Sequence, residues 1–177
     1  MTGPLEGVKI LELGQMIAVP GATYLLATQG AEIIKVENVT GGDDLRMYGS
    51  RKENMSGWFA NANAGKRSIG LDLVDEDGKA VFWKLLECSD VFIQGFRPGA
   101  VARLGFSYEQ VHEKLPDVIY VSSSGFGSSG PYSERPVYDP VIQALSGWAG
   151  AQKTPEGPML IRGMVADKVA ALTTAQA

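Results

Sequence analysis

The chain has 177 residues, of which 45% are hydrophobic and 20% charged, and its formal net charge is -4. That length supports one domain with a substantial core, and the composition is that of an ordinary globular chain. The acidic balance leaves no electrostatic footprint for nucleic acid or for an anionic membrane, so Lys66-Arg67 is the obvious local spot for a phosphate.

The single cysteine, Cys88, cannot close an internal disulfide, which fits a reducing compartment. The opening MTGPLEGVKILELG lacks a basic segment followed by a long apolar stretch. No apolar run approaches the ~20 residues of a membrane helix. The expectation is a cytoplasmic protein with no membrane partner.

Val8 to Leu13 is a short apolar-rich run and predicts a buried strand. Ala18 to Thr28 has helical spacing, with Gly30 as its stop. Ala31 to Val36 predicts a second strand, so the three segments make a βαβ unit and favour a parallel sheet. Asn38 to Met47 reads as a polar loop, and Arg51 to Gly65 as irregular chain with Trp58 and Phe59 embedded in it.

Ser68 to Leu73 alternates and predicts a strand with one wet face. Asp75 predicts an N-cap for the helix that carries Ala80, Val81, Trp83, Leu85 and Leu86. Asp90 to Gln94 is a further strand, followed by the turn Phe96-Arg97-Pro98-Gly99 and a short helix through Val101 and Leu104. Tyr108 to Lys114 predicts a surface helix stopped by Pro116, and Val118 to Ser122 a core strand. Ser123 to Pro136 is a long loop rich in Gly and Ser. Asp139-Pro140 predicts a helix start, with Asp as N-cap and Pro at the first helical position. Met159 to Ile161 reads as a short strand, and Ala166 onward as helix without a stop signal, the pattern of a truncated chain. Alternating strands and helices indicate an open α/β fold.

Gly14 to Gly21 is not GxGxxG, and Pro20 falls where that loop needs free helix-start amides, which argues against a dinucleotide site. A metal site needs clustered ligands, and the one His and one Cys lie far apart; Asp43-Asp44 reads as a solvated loop. His112 sits among polar residues as a surface histidine, which leaves no basis for a Ser-His-Asp triad. Two acids stand out, Asp139 before Pro140 and Asp167 between small and apolar residues, and spacing alone reads both as helix caps.

An ordered set of segments bears on that choice. It comprises Leu5–Glu12 (LEGVKILE), Gly30–Glu37 (GAEIIKVE), Asn63–Leu73 (NAGKRSIGLDL), Phe96–Gly99 (FRPG), Arg103–Gly105 (RLG), Tyr138-Asp139 with Gln143–Gly147 (QALSG), and Ala166-Asp167. The set resembles family III coenzyme A transferases, which share their fold with α-methylacyl-CoA racemases.

The resemblance implies a Rossmann-like large domain of which residues 1–177 are the amino-terminal part, a small domain elsewhere, and an interlocked homodimer. It implies no permanently bound cofactor and no metal; coenzyme A enters as an acyl-CoA substrate, with a carboxylic acid as acceptor. The nucleophile falls on Asp167, which would pass through an anhydride and an aspartyl-CoA thioester, and a helix N-terminus is expected to keep it ionised. The CoA contacts fall on Leu71, Phe96 and Arg103. Ile17 stands where formyl-CoA transferases carry a glutamine, and Asn38 where they carry an arginine, so both are candidates by position only. Tyr138 falls where racemases carry a histidine base, which favours a transferase over a racemase, with an inactive fragment as the other reading.

Overall fold

The computed structural model describes residues 3–177. Its elements in chain order are β1 (Lys9–Leu13), α1 (Ala18–Thr28), β2 (Glu32–Glu37), a 3-10 turn (Asp44–Met47), β3 (Arg51–Lys52), β4 (Met55–Ser56), α2 (Gly57–Ala62), β5 (Arg67–Gly70), α3 (Glu76–Glu87), β6 (Val91–Gln94), α4 (Ala100–Leu104), α5 (Tyr108–Lys114), β7 (Ile119–Ser122), α6 (Asp139–Leu145), α7 (Trp148–Ala151) and α8 (Val165–Gln176).

Five strands form one parallel sheet in the order β5-β2-β1-β6-β7. Counting only its own strands, that order is 3-2-1-4-5, the doubly wound arrangement in which the chain reverses direction across the sheet beside its first strand. Side chains that alternate along β1 therefore serve two cores. Leu11 and Leu13 join Phe82 and Leu86 of α3, Val101 of α4, Phe106 of the link that follows it and Val111 of α5 on one face. Ile10 joins Ile33, Ile93 and Val19 of α1 on the other. Phe82 anchors the first core, with ring centroids 4.3 Å from Phe106 and 5.6 Å from Phe92. On the second face α8 lies against α1, close enough that a Cβ on Gly21 would meet the Ala171 Cβ at 3.0 Å.

The Asp75 cap is the one the sequence indicates, and α5 adds one it does not. The Asp75 side chain accepts from Asp77 N, and Ser107 with Gln110 closes a capping box on α5. Other segments differ. Arg51 to Gly65 is not irregular: β3 and β4 form a hairpin, and Ser56 Oγ accepts from Phe59 N at 2.9 Å to start α2. The strand expected over Ser68 to Leu73 leaves the ladder after Gly70. Met159 to Ile161 forms no strand, because the Gln143 side chain takes the ladder's place: its Oε1 accepts from Ile161 N at 2.7 Å and its Nε2 donates to Ile161 O at 3.0 Å. Tyr138, not Asp139, is the N-cap of α6.

Gly14 and Gly95 end β1 and β6, where the sheet reverses, and Val19 of α1 sits between them. A Cβ on Gly14 would stand 2.5 Å from Val19 Cβ, and one on Gly95 2.7 Å from Val19 Cγ2. Gly14→Ala is expected to lower stability by about 1–3 kcal/mol through overpacking. Urea denaturation checks this, and an unchanged midpoint would show that α1 can shift freely.

Candidate functional site

Ligands of doubly wound sheets bind outside the carboxyl ends of the strands, at the reversal point. Two adjoining clefts open there. The first, about 230 Å³, lies beyond β1, β2 and β5 and is lined by Asn38, Leu71, Phe96 and Leu104 among others. The second, about 360 Å³, lies beyond β1, β6 and β7 and is lined by Met16, Ala18, Phe96, Arg97, Arg135, Tyr138 and Asp167 among others. Gln15 and Phe96 belong to both walls.

The structure thus brings Asn38, Leu71 and Phe96 together, and Phe96 with Tyr138 and Asp167. Asn38 also orders its own turn, its Oδ1 accepting from Thr40 N at 2.8 Å and Thr40 Oγ1 at 2.7 Å. Arg103 is exposed on a separate open groove of about 370 Å³ beside Trp83, joined to the first cleft through Leu104. Its Nη1 lies over Gly99, where a Cβ would come within 3.3 Å. Ile17 lines neither cleft; it is buried against Leu45, Phe59 and Ala62. His112 stacks on Tyr108 at 5.3 Å on α5 and belongs to neither wall.

Asp167 sits in the first turn of α8, half-buried, and its neighbour is Asp139. Asp139 is 5% exposed, and its Oδ2 accepts from Ala166 N at 2.6 Å and Asp167 N at 3.3 Å, while Gln143 Nε2 donates to its Oδ1. The cap assigned to α6 is therefore a cap of α8 formed by an acid 27 residues upstream of Ala166. Burial, with the Asp139 charge added, pushes the Asp167 carboxyl up to about 6. This corrects the expectation that the helix end stabilises the Asp167 anion, since Asp139 occupies the amides that would have done so.

Beneath both clefts lies a cluster of four buried charges. Lys35 Nζ donates to Glu12 Oε1 at 2.8 Å and to Gly14 O at 2.7 Å, and lies 2.9 Å from Asp43 Oδ2 in an ionic contact outside hydrogen-bond geometry. Lys66 Nζ donates to Glu12 Oε2 at 2.8 Å, Pro20 O at 2.7 Å and Asn63 Oδ1 at 2.9 Å. Thr23 Oγ1 adds a bond to Glu12 at 2.6 Å. Burial works against each charge, yet the two lysines hold the Glu12 carboxyl below its ordinary range, and Glu12 with Asp43 holds Lys35 above its own. For Lys66 burial wins, and its ammonium is pulled down to about 8. Lys66 is therefore an internal ion-pair partner, not a surface spot for phosphate, and Asp43 is buried where a solvated loop was expected.

Sequence reasoning passed over Glu12 and Lys35, although a signal was present. Both fall inside apolar runs of a parallel sheet covered on two faces, where a charge needs a partner. Arg97 and Arg135 were passed over as cleft cations. Among the described residues no helix is long and apolar enough to cross a membrane. None of their His, Cys, Asp and Glu side chains group in threes as metal ligands would.

Fold and site together define a pair of clefts at the reversal point of a doubly wound α/β domain, one of them carrying the neighbouring carboxyls of Asp139 and Asp167. The chain belongs to CoA-transferase family III, whose model matches residues 5–177. It is 42% identical to the acetyl-CoA:oxalate CoA-transferase of Acetobacter aceti, over 88% of this chain and 40% of that protein. It is 40% identical to the succinate–glutarate CoA-transferase of Agrobacterium fabrum, over 93% of this chain and 43% of that protein. The crystal structure of a CAIB/BAIF family protein from Brucella suis superposes with a TM-score of 0.93 at 34% identity, over 99% of this chain and 48% of that one. The chain thus spans about two fifths of the length of the curated relatives it matches.

Asp167 also carries a stability prediction. Its folded value of about 6 lies above the ordinary 3.8, so the protonated form is the one that folding favours. The stability it contributes is complete below pH 3.8 and is lost as pH rises through about 6. The whole shift corresponds to about 3 kcal/mol, which solvent screening of this half-exposed group reduces to about 1 kcal/mol. Asp167→Asn should therefore be the more stable protein by that amount at pH 7.5 and match the parent near pH 3.5. Denaturation at the two pH values checks it, and an equal difference at both would refute it.

A second prediction concerns the cluster. Lys35→Met leaves Asp43 without its ion-pair partner among the described residues and should cost about 3–5 kcal/mol, the loss expected when one partner of a buried ion pair is removed. Chemical denaturation measures it, and a loss under about 1 kcal/mol would place the pair in the class of weak surface bridges.

Proposed function

We propose that the whole protein transfers coenzyme A from an acyl-CoA to a carboxylic acid with Asp167 as nucleophile. The observation that carries this is the Asp167 carboxyl itself. It is half-buried in the cleft wall, raised to about 6 beside Asp139, and so mostly ionised at neutral pH without being strongly stabilised. Family membership and relatives named as CoA-transferases support the reaction class.

In this reading Asp167 attacks the thioester carbonyl, the C–S bond breaks, and CoA thiolate leaves a mixed anhydride. The thiolate attacks the aspartyl carbonyl, releasing the donor acid and leaving an aspartyl-CoA thioester. The acceptor carboxylate then displaces the thiolate from that carbonyl, forming a second anhydride. Attack of the thiolate on the acceptor's acyl carbon gives the new acyl-CoA and the free Asp167 carboxylate. No net proton moves, so the cleft needs no histidine base. The CoA chain runs over Phe96 into the first cleft against Leu71 and Asn38, with Arg103 reaching a phosphate from the neighbouring groove. Tyr138, 67% exposed at the start of α6, orients the anhydride from the opposite wall. Ile17 contributes by supporting Met16 and Ala18 from beneath.

The acceptor we assign is a small dicarboxylic acid. The names of the relatives above point to that class, and Arg97 and Arg135 offer cations in the wall that holds Asp167. Residues 1–177 form the amino-terminal part of the CoA-binding domain, and the homodimer implied by the family resemblance goes with this reading.

The test is mass spectrometry of the whole protein after incubation with acetyl-CoA or succinyl-CoA, trapped with hydroxylamine or borohydride. A covalent change at Asp167 that is absent from Asp167→Ala is the expected result. No adduct, together with α-deuterium exchange from a 2-methylacyl-CoA, would replace the transferase reading with a racemase.

A further inference from the structure

The turn from Gly14 to Ala18 joins β1 to α1 and contributes to both clefts: Gly14 and Gln15 line the first, and Gln15, Met16 and Ala18 the second. Met16 has a φ of 63°, a left-handed setting that side-chain-bearing residues rarely adopt. Its backbone is held by buried charges. Met16 N donates to Asp43 Oδ1 at 2.9 Å, and Gly14 O accepts from Lys35 Nζ at 2.7 Å. Asp43 is itself fixed, since its Oδ1 also accepts from Leu45 N at 2.9 Å and its own N–H donates to Glu37 Oε2 at 3.0 Å. Glu37 is in turn gripped at both oxygens by Arg46, at 2.8 Å each.

The same turn reaches the start of α8. Ile17 packs with Leu45, Phe59 and Ala62, and Met16 and Met164 close over that group. Met164 is the N-cap of α8, also left-handed with a φ of 55°, and the helix it opens carries Asp167 in its first turn. Backbone strain, charge anchors and the start of α8 thus meet at one apolar cluster.

We propose that Asp43 and Lys35 are positioning residues for the chemistry at Asp167. They hold the Gly14–Ala18 turn in its left-handed setting and, through the Ile17 cluster, fix where α8 begins. Stability alone does not account for them, because an apolar pair of similar volume would fill the same space without burying charge. Their bonds to the backbone of the turn do account for them. This inference rests on the reading of Asp167 as nucleophile.

The experiment compares Asp43→Asn with Asp43→Ala in the whole protein. Both lose the charge facing Lys35. Only Ala also loses the oxygen that accepts from Met16 N and Leu45 N. Asp43→Ala is expected to lower kcat about ten- to a hundredfold, as a misplaced catalytic group does, and to raise thioester hydrolysis relative to transfer. Asp43→Asn should stay within about threefold in kcat, with KM for the acyl-CoA little changed in either. Equal kcat in the two variants, whether both fall or both hold, would overturn the inference. If Asp43→Ala does not fold, Lys35→Met, which strips the donor from Gly14 O, is read in its place, and an unchanged kcat and hydrolysis ratio there overturns the inference as well. Failure of the underlying reading is separable: a parent protein whose transfer survives Asp167→Ala would sink the nucleophile assignment. In that event crystal structures of the two variants still decide whether Met16 stays left-handed with Asn and relaxes with Ala.

Discussion

Four charges of balanced sign, Glu12, Lys35, Asp43 and Lys66, lie buried together, three from the carboxyl-terminal parts of β1 and β2 and the loop after β2, and Lys66 from just before the start of β5. The turn shared by the two clefts is tied to them through Gly14 O and Met16 N. Glu12 comes from β1, Lys35 from β2, Asp43 from the loop after β2 and Lys66 from the approach to β5, so the cluster ties three strands of the sheet and the loops between them together. The desolvation of each ion is costly and is offset only because nearly every donor and acceptor finds a partner. Lys35 and Lys66 each meet two protein oxygens besides a carboxylate of Glu12, and two of those oxygens, Gly14 O and Asp43 Oδ2, belong to loops that line the first cleft. Such a cluster tolerates little rearrangement, which suits a site whose groups must be placed to a fraction of an ångström.

The cluster also explains why the chain ends its strands as it does. Gly14 and Gly95 let Val19 sit against the ends of β1 and β6, and this draws the start of α1 down onto the sheet. With α1 so placed, Lys66 reaches the Pro20 carbonyl, an acceptor of the first helical turn. Ala18 thereby lines the same cleft as Asp167, and Gly21 offers the narrow contact through which α8 packs. Sheet order, helix packing and cleft shape follow from one set of close approaches.

Much of this architecture was legible. Buried parallel strands are nearly continuous apolar runs, and β1, β2 and β6 announced themselves in that way. Asp75 announced α3, and Gly30 closed the α1 turn. The short elements between Arg51 and Ala62 were not legible, because what stabilises them is distant: Ser56 Oγ donates to Leu45 O at 2.6 Å, and Arg46 lies 3.7 Å over the Phe59 ring. The false strand at Met159 to Ile161 has a similar origin, since a single glutamine side chain from α6 supplies both ladder bonds. The charges of the cluster were visible as letters but not as partners. Lys66 lies 54 residues from Glu12, and only the folded register brings them together.

Asp167 marks where local reasoning and the family resemblance part company. By spacing it is a helix cap, and the fold shows why that reading fails: Asp139 performs the capping. The consequence is chemical. A carboxylate that accepted the first amides of α8 would be stabilised in its ground state and made a poorer nucleophile. With Asp139 in that place, the helix end is satisfied by a residue that the proposed reaction does not use, and the Asp139 charge adds to burial in raising the Asp167 carboxyl to about 6. Asp167 then remains ionised at neutral pH yet keeps the basicity that attack on a carbonyl requires. In the proposed reaction, one acid holding the helix so that the other is free to react accounts for both carboxylates.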